Sequence, residues 1–576
     1  MTVEDLRLPS AVRRGRNTTP EPGAPREEGR VAAAAAELVA SLTAEPWGQV
    51  SVSVYETGRL VSLAPWLTGH TERVRFLLAA QRPDGGWGAP GGYALVPTLA
   101  AVEALAAELG RVPGASGTPF ADEAAVGGAV RRGLAALRRW AGTETGAGRG
   151  GDPRVPYDLR ELPDMPAVEL IVPDLLGRLN GHLAALGEGE PLPPPRGMNG
   201  GKLALVRTGL AAGATVPQKM LHALEVAAEA ASKAPGVVPT PLREGRAAAI
   251  GASPAAGAAW LGGAGEDSPV RHYLEAVVDR YAGPVPCAAP VTVFERGWTL
   301  SWLRRAGVPV TVPEELTAGL AAAIGPGGVA AGPGLPPDAD TTSVGLYTLA
   351  LLRAPREPDA LWAYETETHF CTWQGEEGAS PTVNAHVLDA FGEYLRLAGG
   401  GGRNARYAAA TGKLSAWLRG RQLPDGSWLD RWHVSPYYAT ACCALALGEY
   451  GGAESADAVR GASRWLLDTQ REDGSWGRWT GTAEETAYAL QTLLLTRPDP
   501  QATTGATAGA TETAVEAERR AAAVERGHRR LLTMVTGFGE PLDRPALWHD
   551  KDLYYPAAIV RAAVLGALHL ARHHRP

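Results

Sequence analysis

Three copies of one heptapeptide constrain this chain more than any other feature. They read Gln81-Arg-Pro-Asp-Gly-Gly-Trp87, Gln422-Leu-Pro-Asp-Gly-Ser-Trp428 and Gln470-Arg-Glu-Asp-Gly-Ser-Trp476. The last two tryptophans stand 48 positions apart, a spacing that indicates stacked supersecondary units. Asp-Gly marks a turn in each copy, and Gln and Trp can pack against each other across it. Each copy follows one helical segment and precedes another. Apolar periodicity predicts helices over Val31–Leu42, Arg73–Gln81, Leu95–Leu109, Tyr407–Arg421, Tyr437–Tyr450 and Ala483–Leu495. Alternating strand patterns are scarce, and glycine and proline fall mostly between the helical segments. Such units fit a barrel of helix pairs better than a bundle, so the expected fold class is all-α.

Charge excludes some functions. The net charge of −7 comes with no basic stripe, which excludes nucleic acid as a partner. The four cysteines, at 287, 371, 442 and 443, form no CxxC pair. Neither a disulfide framework nor a zinc knuckle is expected, and a reducing cytoplasm fits. Residues 1–30 carry no signal peptide and read as a disordered tail. No apolar run of about 18 residues stands out, so no transmembrane helix is expected. Gly142–Gly151 and Gln501–Thr513 are low-complexity stretches, the second a flexible surface insertion.

The heptapeptide resembles the QW motif of terpene cyclases, a family that includes squalene–hopene cyclases and copalyl-type diphosphate synthases. Pro337-Asp338-Ala339-Asp340-Thr341-Thr342 resembles that family's acid motif, D-x-D-D, with Thr341 in place of the final Asp. Other segments resemble the branch that retains its diphosphate: Ser51–Thr57, Met165–Leu176, Val216–Glu225, Val293–Trp298, Arg431–Tyr438 and Lys551–Tyr554. The resemblance runs from about residue 45 to the C-terminus. It implies two α/α barrels, γ at 50–290 and β from 31–49 with 291–576, and an active site between them. The sequence has no Asp-Asp dipeptide. The DDxxD metal site of class I cyclases is therefore absent, and the diphosphate should be retained.

The resemblance also assigns roles. Asp340 is the expected acid, with Asp338 two positions away sharing its proton burden. Thr341 offers a hydroxyl that could bond a neighbouring Asp. His433 is expected to contact the acid side or to take the final proton. Trp298, Trp432, Tyr437, Tyr438, Tyr554 and Tyr555 are candidates to turn π faces toward a carbocation in a dry pocket. Lys202, Lys219 and Arg296 are the candidate diphosphate cations. Glu169, with Asp164 or Glu56, is the candidate Mg²⁺ site, since that ion takes few carboxylates plus substrate oxygens.

A prenyl diphosphate is thus the expected partner, and a homodimer is compatible with the sequence. The Asp-x-Asp-Thr-Thr variant resembles drimenyl diphosphate synthases, which favours a C15 substrate, farnesyl diphosphate. The alternative is C20 geranylgeranyl diphosphate and a copalyl-type bicycle. A helical-barrel glycosidase would need two carboxylates across a groove, and the triple repeat does not arise from that. A non-catalytic binding module is disfavoured by the intact Asp338/Asp340 pair.

Overall fold

A computed structural model describes residues 27–111, 120, 122–142, 157–187, 190–232, 234, 236–242, 245–263, 267–398, 404–496, 513–537 and 539–573. Among them are nineteen α-helices. The first, α1, is Glu27–Ala44. Eight follow: α2 (Val54–Leu63), α3 (His70–Ala79), α4 (Leu95–Leu109), α5 (Glu123–Ala141), α6 (Val168–Leu186), α7 (Gly201–Ala211), α8 (Pro254–Leu261) and α9 (Pro269–Tyr281). The 3-10 segment Gln218–Ala231 lies between α7 and α8. Ten more complete the chain: α10 (Thr292–Arg305), α11 (Glu314–Ala323), α12 (Ala339–Leu351), α13 (Pro381–Ala398), α14 (Asn404–Gly420), α15 (Pro436–Tyr450), α16 (Ala456–Thr469), α17 (Ala483–Leu495), α18 (Ala514–Thr533) and α19 (Ala557–His573). All six helices predicted by periodicity are present, with ends shifted by a few residues.

Helix contacts close two rings. In the first, α2, α4, α6, the 3-10 segment and α8 follow one another back to α2, with α3, α5, α7 and α9 outside. In the second, α10, α12, α13, α15, α17 and α19 close on α10, with α1, α11, α14, α16 and α18 outside. The apolar clusters follow the same division. The largest draws on residues 34–50 and 288–571, plus Met165 and Ala252. Three smaller ones lie within 55–289.

The three repeats do the same work in each place. The indole N–H of Trp87, Trp428 and Trp476 donates to Leu77, Leu418 and Leu466 carbonyls at 2.7, 2.9 and 2.8 Å. Those carbonyls close the outer helix just before each turn. The Gln side-chain amides donate to Ala129, Ala458 and Ala523 on the next outer helix, at 3.0, 2.8 and 2.9 Å. The expected packing of Gln on Trp is therefore corrected: the two side chains staple carbonyls of different helices. Glycine is required at 85, 426 and 474, where φ is +89°, +98° and +88° and a Cβ would meet backbone atoms of the next helix at 2.5, 2.4 and 2.8 Å.

Two expectations on the termini and insertions change or fall away. Helix α1 starts at Glu27, inside the expected tail, and residues 1–26 lie outside the described part. The bodies of Gly142–Gly151 and Gln501–Thr513 also lie outside it. Only their ends are described: Gly142 caps α5, and Thr513 opens α18 with a capping box to Glu516. Gly91–Leu109 is long and apolar enough to cross a membrane by composition, contrary to expectation. It is 78% buried in the first ring, so protein and not lipid covers it.

Candidate active site

The N-terminal ends of the inner helices carry the polar and aromatic residues. Pro336 and Pro337 cannot continue a helix, and Asp338 then caps α12: its carboxylate accepts from the Thr341 N–H at 2.6 Å and the Thr341 hydroxyl at 3.0 Å. Burial pushes the Asp338 carboxyl up to about 7, aided by the charge of Asp340 and opposed by the two Thr341 bonds. Asp340, in the first turn, points elsewhere. Its Oδ1 lies 2.6 Å from Nδ1 of His386 on α13. The two aspartates thus have separate partners, and Thr341 serves Asp338, not Asp340.

Burial alone would lower the His386 pKa, but the Asp340 carboxylate and the Cys442 thiol beside it hold it well above the ordinary value. A cationic imidazole therefore faces the Asp340 side chain at hydrogen-bond distance. His386→Gln would keep a donor near Asp340 and remove the positive charge. Loss of a preorganised charge-stabilising group lowers kcat by ~10²-fold. Wild-type activity should fall at alkaline pH as the imidazolium loses its proton, and the variant should lack that limb; kcat from pH 5 to 9 checks both.

His433 does not contact the acid. The backbone N–H of Ser435 donates to its Nδ1 at 3.0 Å, so the ring proton sits on Nε2 and donates to Glu484 at 3.1 Å. Burial lowers the His433 pKa to about 3, which leaves it neutral. Both expected roles for His433 fail on this geometry, because its only lone pair is already used. Sequence reasoning missed His386. Its one signal was a histidine in the first turns of a helix, which the fold alone brings to Asp340.

A chain of aromatic contacts runs from His386 through the second ring. Trp298 stands edge-on to His386 with centroids 5.5 Å apart, and its N–H donates to the Tyr438 hydroxyl at 2.9 Å. Tyr438 stacks on His433 at 4.4 Å and contacts Trp548 at 4.9 Å. Trp548 also meets Tyr554 at 6.3 Å. Trp432 lies nearer the outside, against Trp373 and Arg431. Tyr437 is a correction: it packs on Trp465 of the outer helix α16, because adjacent helix positions face different sides. Buried Tyr555 has no hydrogen-bond partner for its hydroxyl.

A charged rim lies where the two rings meet. Arg431 bonds Asp164 at 2.9 Å and Glu376 at 2.6 Å. Lys202 at the start of α7 pairs with Glu169 at the start of α6 and feels the charge of Glu377. Lys202, Glu169 and Asp164 are all well exposed. Lys219 is exposed on the 3-10 segment. Arg296 is a correction: its guanidinium donates to the Leu42 carbonyl at 3.1 Å and caps α1. Arg431 is the rim cation not singled out from sequence.

Glu56 is also a correction. It is fully buried against Lys551, and its carboxylate accepts from Ser253 and the Ala255 N–H. It cannot join Glu169 and Asp164 around one ion. Among the described residues no cluster of three or more His, Cys, Asp or Glu is placed to hold a metal. Asp164 and Glu169 are each paired with a cation, Arg431 and Lys202, and are of the ligand type that an ion completing its shell with phosphate oxygens takes.

Comparison with known proteins identifies the family. The squalene-hopene cyclase C-terminal domain family matches residues 378–540. The chain is 40% identical to the ent-copalyl diphosphate synthase of Streptomyces sp. (strain KO-3988), covering 93% of this chain and 95% of that one. It is also 40% identical to the labda-7,13-dienyl diphosphate synthase of Streptomyces clavuligerus, over 95% and 94% of the two chains. The solved ent-copalyl diphosphate synthase from Streptomyces platensis has 40% identity and a TM-score of 0.82, over 94% of this chain and 100% of that one. A helical two-ring fold, an Asp–His pair at the end of a chain of aromatic contacts and relatives at this identity lead to one conclusion: the chain belongs to the class II terpene cyclases of the copalyl diphosphate synthase type.

Proposed function

We propose that this enzyme protonates the terminal alkene of geranylgeranyl diphosphate through Asp340 and closes the chain to a copalyl-type bicycle that keeps its diphosphate. The observation that carries this reading is the Asp340–His386 pair, 2.6 Å apart and set edge-on against Trp298, in a chain 40% identical to an ent-copalyl diphosphate synthase. A carboxyl with a cationic partner beside aromatic rings suits the protonation of an alkene. The names of the relatives then favour the C20 chain. The C15 preference drawn from Thr341 loses its support, because Thr341 bonds Asp338 and measures nothing about chain length.

An alkene is a very weak base, so the acid must gain stability as it gives up its proton. When Asp340 does so, the carboxylate left behind faces the His386 imidazolium at hydrogen-bond distance. Trp298, Tyr438 and Trp548 then offer ring faces to the cation and exclude water. At the other end of the substrate Lys202 and Arg431 hold the diphosphate. Asp164 and Glu169 would hold Mg²⁺, which would neutralise diphosphate charge and fix its position. In this assignment the first ring (50–290) is the γ domain and the second (31–49 with 291–576) the β domain, and the substrate lies between them.

Purified protein should convert the C20 substrate to a bicyclic diphosphate in parallel assays with C10, C15 and C20 diphosphates, read by dephosphorylation and mass spectrometry. Chelation with EDTA should suppress turnover, and Mg²⁺ should restore it. Preferential turnover of the C15 substrate, or release of pyrophosphate in step with product, would overturn the reading.

A further inference from the structure

We infer that Glu484 is the base that ends the cyclisation by taking a proton from the bicyclic cation. This rests on the function proposed above. Glu484 lies in the first turn of α17 and is about 1% exposed. Three donors converge on its Oε1: the Trp548 N–H at 2.9 Å, the Tyr488 hydroxyl at 3.1 Å and His433 Nε2 at 3.1 Å. Its other oxygen, Oε2, is buried with no partner. Neither an arginine nor a lysine pairs with Glu484 among the described residues, and its one basic neighbour, His433, is neutral.

A buried carboxyl group without a counter-ion resists ionisation unless a positive charge is brought beside it. One oxygen is fully committed and holds the group in place. The other has no partner, and Trp548 and Tyr488, which hold Oε1, both pack on Tyr438, aromatic residues expected to surround a carbocation. The counter-ion this site lacks is the one the reaction makes.

Its place among the aromatic contacts fits as well. From Asp340, contacts run through His386, Trp298 and Tyr438 to Trp548. From Asp164 they run through Arg431 to His549, the chain neighbour of Trp548. Glu484, bonded to Trp548, sits where these two runs meet. The cation left after two rings close is likewise in the middle of a C20 chain. The other open buried lone pair near the rim is His549 Nε2. Burial holds that imidazole at about 4 while it pushes Glu484 up to about 8, so Glu484 is the stronger base.

The step balances. A C–H bond next to the cationic carbon breaks, its electron pair becomes the new alkene, and the proton goes to Glu484 Oε2. Asp340 has lost one proton and Glu484 has gained one, and both exchange with solvent after product leaves. The overall change is an isomerisation.

Glu484→Gln keeps the shape and one acceptor but cannot take the proton. Wild-type alkene formation should drop ~10²-fold. Substrate consumption should persist and feed water-quenched alcohols or alternative alkenes. Glu484→Asp, which draws the carboxylate back by one methylene, should give the wild-type alkene mixed with those products. Thermal melting identifies folded variants. If the folded variants give the wild-type alkene alone at a rate within about threefold of wild type, a margin far below that expected loss, the assignment is overturned. Wild-type protein that leaves the C20 substrate untouched would instead remove the function on which the assignment rests.

Discussion

Asp340→Asn is expected to abolish cyclisation, with a loss of at least ~10³-fold in kcat, while leaving the fold intact. The amide is isosteric and can still hydrogen-bond His386, so the first turn of α12 keeps its shape. What disappears is the acid. Two buried carboxyls lie nearby: Asp338 is bonded to Thr341 through both oxygens and faces no imidazolium, and Asp389, one turn on from His386, is tied up by Arg305. The purified variant should therefore melt within a few degrees of wild type and bind substrate, yet turn over almost none. Near-wild-type turnover would move the proton source to Asp338, whose carboxyl burial already pushes up to about 7. Asp338→Asn should be milder in chemistry, because it perturbs a cap and not the donor.

The difference between these aspartates shows what the sequence could and could not supply. The acid motif was legible because Asp338, Asp340 and Thr341 are local, and a helix cap is a local event. The QW repeats were legible for the same reason, although the mate of each Gln lay on a helix 36 to 53 residues away. Partners far apart in sequence were not legible. His386 stands 46 residues from Asp340, and Glu484 stands 51 from His433. Only the closing of the second ring brings them together. Neighbours on one helix were also hard to tell apart: Tyr437 and Tyr438 read alike, yet one packs on the outer helix and the other on Trp548 inside the ring. Among the charges, Lys202 pairs with Glu169 and Asp164 with Arg431 at the surface, whereas Glu56 came from an equally suggestive segment and is buried in the joint between the rings.

That joint gives the largest expected effect on stability. Lys551 is fully buried, pairs with Glu56 and with Glu225 at 3.0 Å, and donates to the Ser253 hydroxyl at 2.9 Å and the His222 carbonyl at 2.6 Å. It comes from the second ring's side, and every one of those partners belongs to the first. Asp552 bonds Ser53 at 2.7 Å and the Tyr55 N–H at 3.0 Å, and Asp550 bonds His222 at 2.7 Å. Lys551→Met fills similar volume but strands two carboxylates in a dry site. Removing one partner of a buried ion pair costs about 3–5 kcal/mol.

The pH dependence has a definite sign. Burial raises Glu56 from 4.5 to about 7, with Lys551 opposing the rise. Without Lys551 nothing of that size opposes it, so the folded variant holds its proton more tightly than the unfolded chain does. Stability from that proton is present below about 4.5 and is lost as pH climbs through the folded value. The melting temperature of Lys551→Met should therefore lie furthest below wild type at pH 8, with the gap narrowing toward pH 5. A gap that is constant from pH 5 to 8, or that widens on acidification, would mean that the lysine fills space in the joint and does not balance its charge.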